Sequence, residues 1–150
     1  MTQSLPPKSL VLYSDDDPDD IELIRDAFGE FSASIELVSF PSGRDLLSYL
    51  IALTPLQPTP CLLVIDINMP GLNGKETLAH IRRIEGFERI PAVLFSTSTM
   101  PADAAFARSH DAGFVTKPLM AQQIKEIVDQ LIAHCTDEVK ERINRHRRNK

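Results

Sequence analysis

Apolar positions along this chain follow two rhythms that take turns from one end to the other. Cys61-Leu62-Leu63-Val64-Ile65 is a continuous apolar run, too short for a typical helix and rich in residues that suit a strand buried on both faces. Residues 9–14 (Ser-Leu-Val-Leu-Tyr-Ser), 34–40 (an alternating run), 91–95 (Pro-Ala-Val-Leu-Phe) and 113–116 (Gly-Phe-Val-Thr) predict four more strands. Between them the period lengthens. Ile21, Ile24, Ala27, Phe28 and Phe31 predict a helix over 18–31, and Ser42 opens a second that runs to about 53, with Asp45 in the capping-box position. Leu78, Ile81 and Ile84 mark the inward side of a third helix at 75–85, and residues 102–109 form a short Ala-rich fourth. Ile124, Ile127, Val128, Leu131 and Ile132 make the stripe of a fifth, expected to run on into the basic tail.

The punctuation fits this division. Pro18 suits a first helical turn with Asp17 as cap, and Asp19 and Asp20 favour the positive end of the helix dipole. The Pro-rich stretch 54–60 breaks any helix, and Pro70, Gly71, Asn73 and Gly74 mark a turn. Thr99 is placed to cap the fourth helix. Five strands alternating with five helices imply an α/β fold with a parallel sheet and helices on both faces. The pattern alone does not set the strand order.

At 150 residues the chain fits one domain that buries roughly 70% of its unfolded surface. We expect a lead-in at 1–8, a domain at 9–134 and a basic extension at 135–150, helical or disordered. No apolar run approaches the ~20 residues of a membrane span. The amino terminus lacks the pattern of a secretory signal, so the expected location is the cytoplasm. Cys61 and Cys135 fit that setting as free thiols without metal-ligand spacing. The net charge of −5 is uneven: residues 137–150 hold six Lys/Arg against three Asp/Glu, leaving ten basic and eighteen acidic residues before them. An acidic body argues against nucleic acid as a ligand. Arg82 and Arg83 read as a solvated face, and residues 140–150 as a solvated or partner-contacting end.

Chemistry concentrates where strands end. Asp66 closes the central apolar run at the mouth of a strand-to-helix connection, the edge where open α/β sheets bind ligands. Asp15 and Asp16 end the first strand ahead of the Asp17 cap, and such adjacent like charges repel unless a cation neutralises them. Ser96 ends the fourth strand, and Lys117 follows the fifth. One sheet edge would gather them all. Three carboxylates facing one lysine call for a hard divalent cation such as Mg²⁺, and the loaded site could accept a dianionic phosphoryl group.

Met69-Pro70-Gly71-Leu72-Asn73-Gly74 after an apolar strand ending in Asp66 resembles the phosphoacceptor loop of bacterial response regulator receiver domains. The likeness spans about residues 9–134, with acid pair, aspartate, hydroxyl and Lys117-Pro118 in the family's order. It implies a flavodoxin-like doubly wound (βα)5 fold whose five-stranded parallel sheet has the order 2-1-3-4-5.

By the same resemblance Asp66 is the phosphoacceptor of a two-component phosphorelay, charged by a sensor histidine kinase or a histidine phosphotransfer protein. Asp15, Asp16 and Asp66, with the backbone carbonyl of Asn68, would hold Mg²⁺. Lys117 would pair with the phosphoryl group, Ser96 and Phe114 would be the switch residues, and the Lys117-Pro118 peptide would be cis. The protein would be a phosphoacceptor rather than an enzyme in the ordinary sense, catalysing its own phosphoryl transfer and slow dephosphorylation. Its output face would comprise the fourth helix, fifth strand and fifth helix. No output domain is expected, so an unknown downstream protein or a second copy of the chain would read that face.

Thr97, where many members have Ala, and Asn73, where Asp is common, depart from the family pattern. Two rival readings are a phosphorylation-independent binding module and a haloacid-dehalogenase-like phosphatase. The latter needs a second Asp where this chain has Asn68.

Overall fold

The computed structural model describes residues 8–53, 59–120 and 123–148. Residues 1–7 of the expected lead-in, the core of the Pro-rich connection at 54–58, and residues 121–122 and 149–150 lie outside the described residues. The elements are β1 (Ser9–Ser14), α1 (Pro18–Phe28), β2 (Ile35–Phe40), α2 (Gly43–Ala52), β3 (Leu62–Asp66), α3 (Gly74–Ile81), β4 (Ala92–Ser96), α4 (Pro101–Ser109), β5 (Gly113–Thr116), α5 (Ile124–Ile132) and α6 (Asp137–Arg148). The strands form one parallel sheet in the order β2-β1-β3-β4-β5.

Two apolar layers follow from strand periodicity, because alternate side chains leave a strand on opposite faces. Val11, Tyr13, Val64, Val93, Phe95 and Val115 pack with the apolar sides of α1, α5 and α6. Leu10, Leu12, Leu63, Ile65 and Leu94 pack with those of α2, α3 and α4. Every residue of β1, β3 and β4 is buried, which explains why these strands read as near-continuous apolar runs.

Local chemistry fixes the helix ends. The Asp17 side chain accepts the Asp19 N–H ahead of Pro18, and Ser42 accepts the Asp45 N–H. Asn73 and Glu76 form a reciprocal capping box on α3, so Asn serves as well there as Asp would. The α3–β4 connection is pinned by Arg82, whose guanidinium donates to the carbonyls of Phe87, Ile90, His110 and Asp111 at 2.7–3.1 Å.

Several expectations need correction. Arg82 is part of no solvated face; it is half-buried because four carbonyls at the turns flanking β4 and β5 need a donor. Thr99 does not cap α4. The N-cap residue is Met100, without a side-chain cap, and the Ser98 hydroxyl takes the Met100 N–H at 3.1 Å. The Lys117–Pro118 peptide is trans, as no peptide among the described residues is cis. Trans is the lower-energy X-Pro isomer by about 0.5–1 kcal/mol, and Lys117 reaches its carboxylate partners from it. The first helix is shorter than its period suggested, because a 3₁₀ turn takes over at Gly29–Phe31.

The fifth helix also stops early. It ends at Ile132, and the chain re-enters a helix at Asp137 that lays Ile143, 2% exposed, into the α1/α5 layer. Arg142 adds a bond to the Ser9 hydroxyl at 3.2 Å. If α6 is integral to the domain, Ile143→Ala should lower unfolding free energy by about 2–5 kcal/mol, a large share of the ~5–15 kcal/mol a domain possesses. Urea denaturation would measure it, and a loss below about 0.5 kcal/mol, the level of a surface change, would show α6 to be peripheral.

Candidate functional site

The carboxyl ends of β1 and β3 lie side by side in the sheet, and each delivers a carboxylate to the α1/α5 side. Asp15 is fully buried and Asp66 is 5% exposed, while Asp16 is exposed. One oxygen from each of Asp15, Asp16 and Asp66 can be chosen so that all three lie within 4.8 Å of one another. Two glycines make the turn after β3 possible. Gly71 has φ +74°, which favours glycine, and a Cβ on Gly74 would meet the Asp66 carbonyl oxygen at 2.2 Å. The turn thus folds back onto the strand end.

Asp15 accepts three hydrogen bonds. Its Oδ1 accepts the Asp17 N–H at 3.0 Å, and its Oδ2 accepts the Tyr13 hydroxyl in a short bond and the Lys117 ammonium at 2.7 Å. Lys117 also donates to Asp20 at 3.0 Å and stands 3.6 Å from Asp66. Asp66 Oδ1 has the Asn68 N–H at 3.4 Å. Burial pushes the Asp66 carboxyl up to about 7, with Lys117 opposing the rise and Asp15 adding to it. Burial works against the charge on Lys117, yet its bonds and attraction to Asp15, followed by Asp66 and Asp20, outweigh that and raise it to about 12. Tyr13 is raised as well, by burial and then by Asp15, so it stays a neutral donor.

The structure therefore gathers Asp15, Asp16, Asp66 and Lys117, and turns the Asn68 N–H toward Asp66. Ser96 is buried at the end of β4, with its hydroxyl accepting the Ser98 N–H at 3.1 Å inside its own loop. Phe114 is half-buried against the α4 side of the sheet. Two participants escaped sequence reasoning. Tyr13 could have been found, because it lies two residues before Asp15 on one strand and so shares its face. Asp20 already had a sufficient reason in the helix dipole, and nothing local signalled its pairing with Lys117.

The oxygen-only donor set of three clustered carboxylates fits a hard divalent cation. Around it the arrangement offers a carboxylate and an ammonium, which could serve as nucleophile and charge partner in phosphoryl transfer.

Comparison with known proteins agrees. The family model described as "Response regulator receiver domain" matches residues 11–129. "Response regulator Rcp1" of Synechocystis sp. is 30% identical over 98 residues, covering 64% of this chain and 66% of that protein. The phosphorylated cyanobacterial phytochrome response regulator RcpA superposes with TM-score 0.76 at 26% identity, covering 84% of this chain and 92% of that one. The Mn²⁺-bound form of response regulator Rcp1 gives TM-score 0.74 at 24% identity, covering 85% and 93%, and shares the fold.

The raised Asp66 carboxyl carries a pH signature. An unfolded Asp releases its proton near 3.9, whereas folded Asp66 holds it to about 7, so folding stability declines as pH rises from about 4 through 7 and the penalty is complete above. In metal-free protein Asp66→Asn should remove this penalty, on the order of 4 kcal/mol at pH 8 and vanishing near pH 4. Denaturant titrations at both pH values, wild type against variant, would show it, and parallel pH profiles would contradict it.

Proposed function

We propose, from the premise that this chain belongs to the response regulator receiver domain family, that it is a phosphorylation switch whose acceptor is Asp66. The observation that carries this reading is the meeting of Asp66 with Asp15, Asp16 and Lys117 at one sheet edge. As a receiver the chain is a module of two-component signalling, a phosphoacceptor rather than a classical enzyme. The phosphodonor we assign is the phosphohistidine of a sensor kinase or of a histidine phosphotransfer protein.

An Asp66 carboxylate oxygen attacks phosphorus, the new O–P bond forms as the N–P bond breaks, and the bonding pair leaves with the imidazole nitrogen. Asp15, Asp16, Asp66 and the Asn68 carbonyl would hold Mg²⁺, which when bound neutralises the crowded carboxylates and the charge on the transferring oxygens. Lys117 supplies the second positive charge and is already 3.6 Å from the acceptor. Burial of Asp66 excludes bulk water, strengthening both contributions.

The output rests on what Ser96 must abandon to reach a phosphoryl oxygen. Its hydroxyl accepts the Ser98 N–H, Ser98 donates a short bond to Asp103 on α4, and Asp103 forms a close ion pair with Lys75 at the start of α3. Turning Ser96 would release the Ser98 N–H, the near end of this chain of contacts to α4. The affected face includes half-buried Phe114 and the exposed Met100. A partner protein or a second copy of the chain reads it.

Incubation with acetyl phosphate and Mg²⁺ should label the wild type and leave Asp66→Asn unlabelled, while Lys117→Ala should slow labelling by about 10²- to 10³-fold. Equal labelling of Asp66→Asn would move the acceptor elsewhere, and failure of the wild type to label would favour a phosphorylation-independent module. With beryllofluoride bound as phosphoryl mimic, hydrogen exchange should change over residues 96–118. Identical exchange there would separate phosphorylation from output.

A further inference from the structure

We propose that Asp20 is a positioning residue for Lys117, holding the ammonium from outside the carboxylate triad so that Asp15 is available to the divalent cation. This rests on the receiver reading of the site. Asp20 sits in the first turn of α1, where the helix dipole alone would justify an acid. Its side chain does more, since Oδ2 accepts from Lys117 Nζ at 3.0 Å across 97 residues of chain. Asp19, its neighbour in the same turn, is exposed.

Competition gives this pairing its meaning. Lys117 is only 11% exposed, so its charge needs a carboxylate partner at all times. In this structure its shortest bond, 2.7 Å, is to Asp15 Oδ2, an oxygen that also takes the Tyr13 hydroxyl. A cation drawing on Asp15, Asp16 and Asp66 must therefore contend with the ammonium for Asp15. Asp20 stands apart from the three converging carboxylates and already holds the other flank of Lys117. Space exists for the ammonium to lean that way. A cavity of about 70 Å³ is bounded by Asp20, Thr97, Lys117, Pro118 and Ile124. With Asp20 as a standing partner, Lys117 can yield Asp15 without becoming an isolated buried charge, and it stays beside Asp66 for the phosphoryl group.

The test is a double-mutant cycle read by Mg²⁺ affinity, measured calorimetrically on the full unphosphorylated chain. Asp20→Asn should weaken Mg²⁺ binding about fivefold, within the range of coupling between contacting groups, whereas in a Lys117→Ala background the same change should alter affinity less than about twofold. Asp19→Asn, which removes the same charge from the same turn, should also stay within about twofold. Lys117→Met, similar in length to lysine, repeats the cycle if the alanine variant is unstable. An unchanged affinity in Asp20→Asn overturns the proposal, and so does an equal loss with and without Lys117, which would mean a plain field effect. Absence of Mg²⁺ binding by the wild type is a different failure, because it overturns the metal-site reading itself.

Discussion

Lys117 stands among four carboxylates at the carboxyl edge of the sheet, bonded to Asp15 and Asp20 and close to Asp66, with Asp16 completing the acidic group. Two of those acids are essentially buried, and like charges in such a place are tolerated only when something offsets them. The ammonium does part of this, the Tyr13 hydroxyl and the Asp17 and Asn68 N–H groups do more, and burial pushes Asp66 toward its neutral form. The site is thus stable enough to fold and still short of positive charge. That shortfall suits the site to a hard divalent cation and, in the proposed function, to a phosphoryl group after it.

The fold supplies the constraint that keeps these groups together. Parallel strands buried on both faces bring their carboxyl ends to one edge, and the β1–β3 and β3–β4 registers leave Asp15, Asp66 and Phe95 little freedom to separate. Relaxation by moving the acids apart would cost the burial of whole strands. The turn after Asp66 is equally bound, since Gly74 has no room for a side chain against the strand end. Rigidity of backbone with crowding of charge leaves side-chain rearrangement as the cheapest response to a new ligand.

How much of this could be read from the residues depended on range. The strands, the helices and the strand-end acids were legible because periodicity and capping are local, and Asp17 and Ser42 cap the helices where their chemistry required, while Asn73, read only as a turn residue, caps α3 as well. Strand order came through the family resemblance, not the pattern. What failed was non-local. Arg82 looked like surface because its four carbonyl partners come from turns as far as Asp111, and Asp20 looked complete as a helix-dipole residue because Lys117 lies 97 residues away. Ile143 sits in a tail whose average polarity concealed one apolar stripe. Thr99 does not cap α4 because Met100 holds the N-cap position, and the Ser98 hydroxyl bridges Met100 and Asp103 instead.

Strand alternation also separates the two arms that would close on a phosphorylated Asp66. Tyr13, Phe95 and Val115 face the α1/α5 layer, and Lys117, two residues past Val115, reaches Asp15, Asp20 and the Phe95 ring on that side. Leu94 and Phe114 are register partners packed against the opposite layer, and Ser96 continues the Leu94 side toward α4. A phosphoryl group that drew in Lys117 alone would therefore tighten the site without touching the α4 face. In the proposed switch Ser96 would be the arm that crosses to it, because its hydroxyl is linked through Ser98 to Asp103, and Phe114 lies on the same side of the neighbouring strand. In the proposed switch, charge neutralisation and signal output would therefore fall on different faces of one sheet, where either could be altered by substitution with the other left in place.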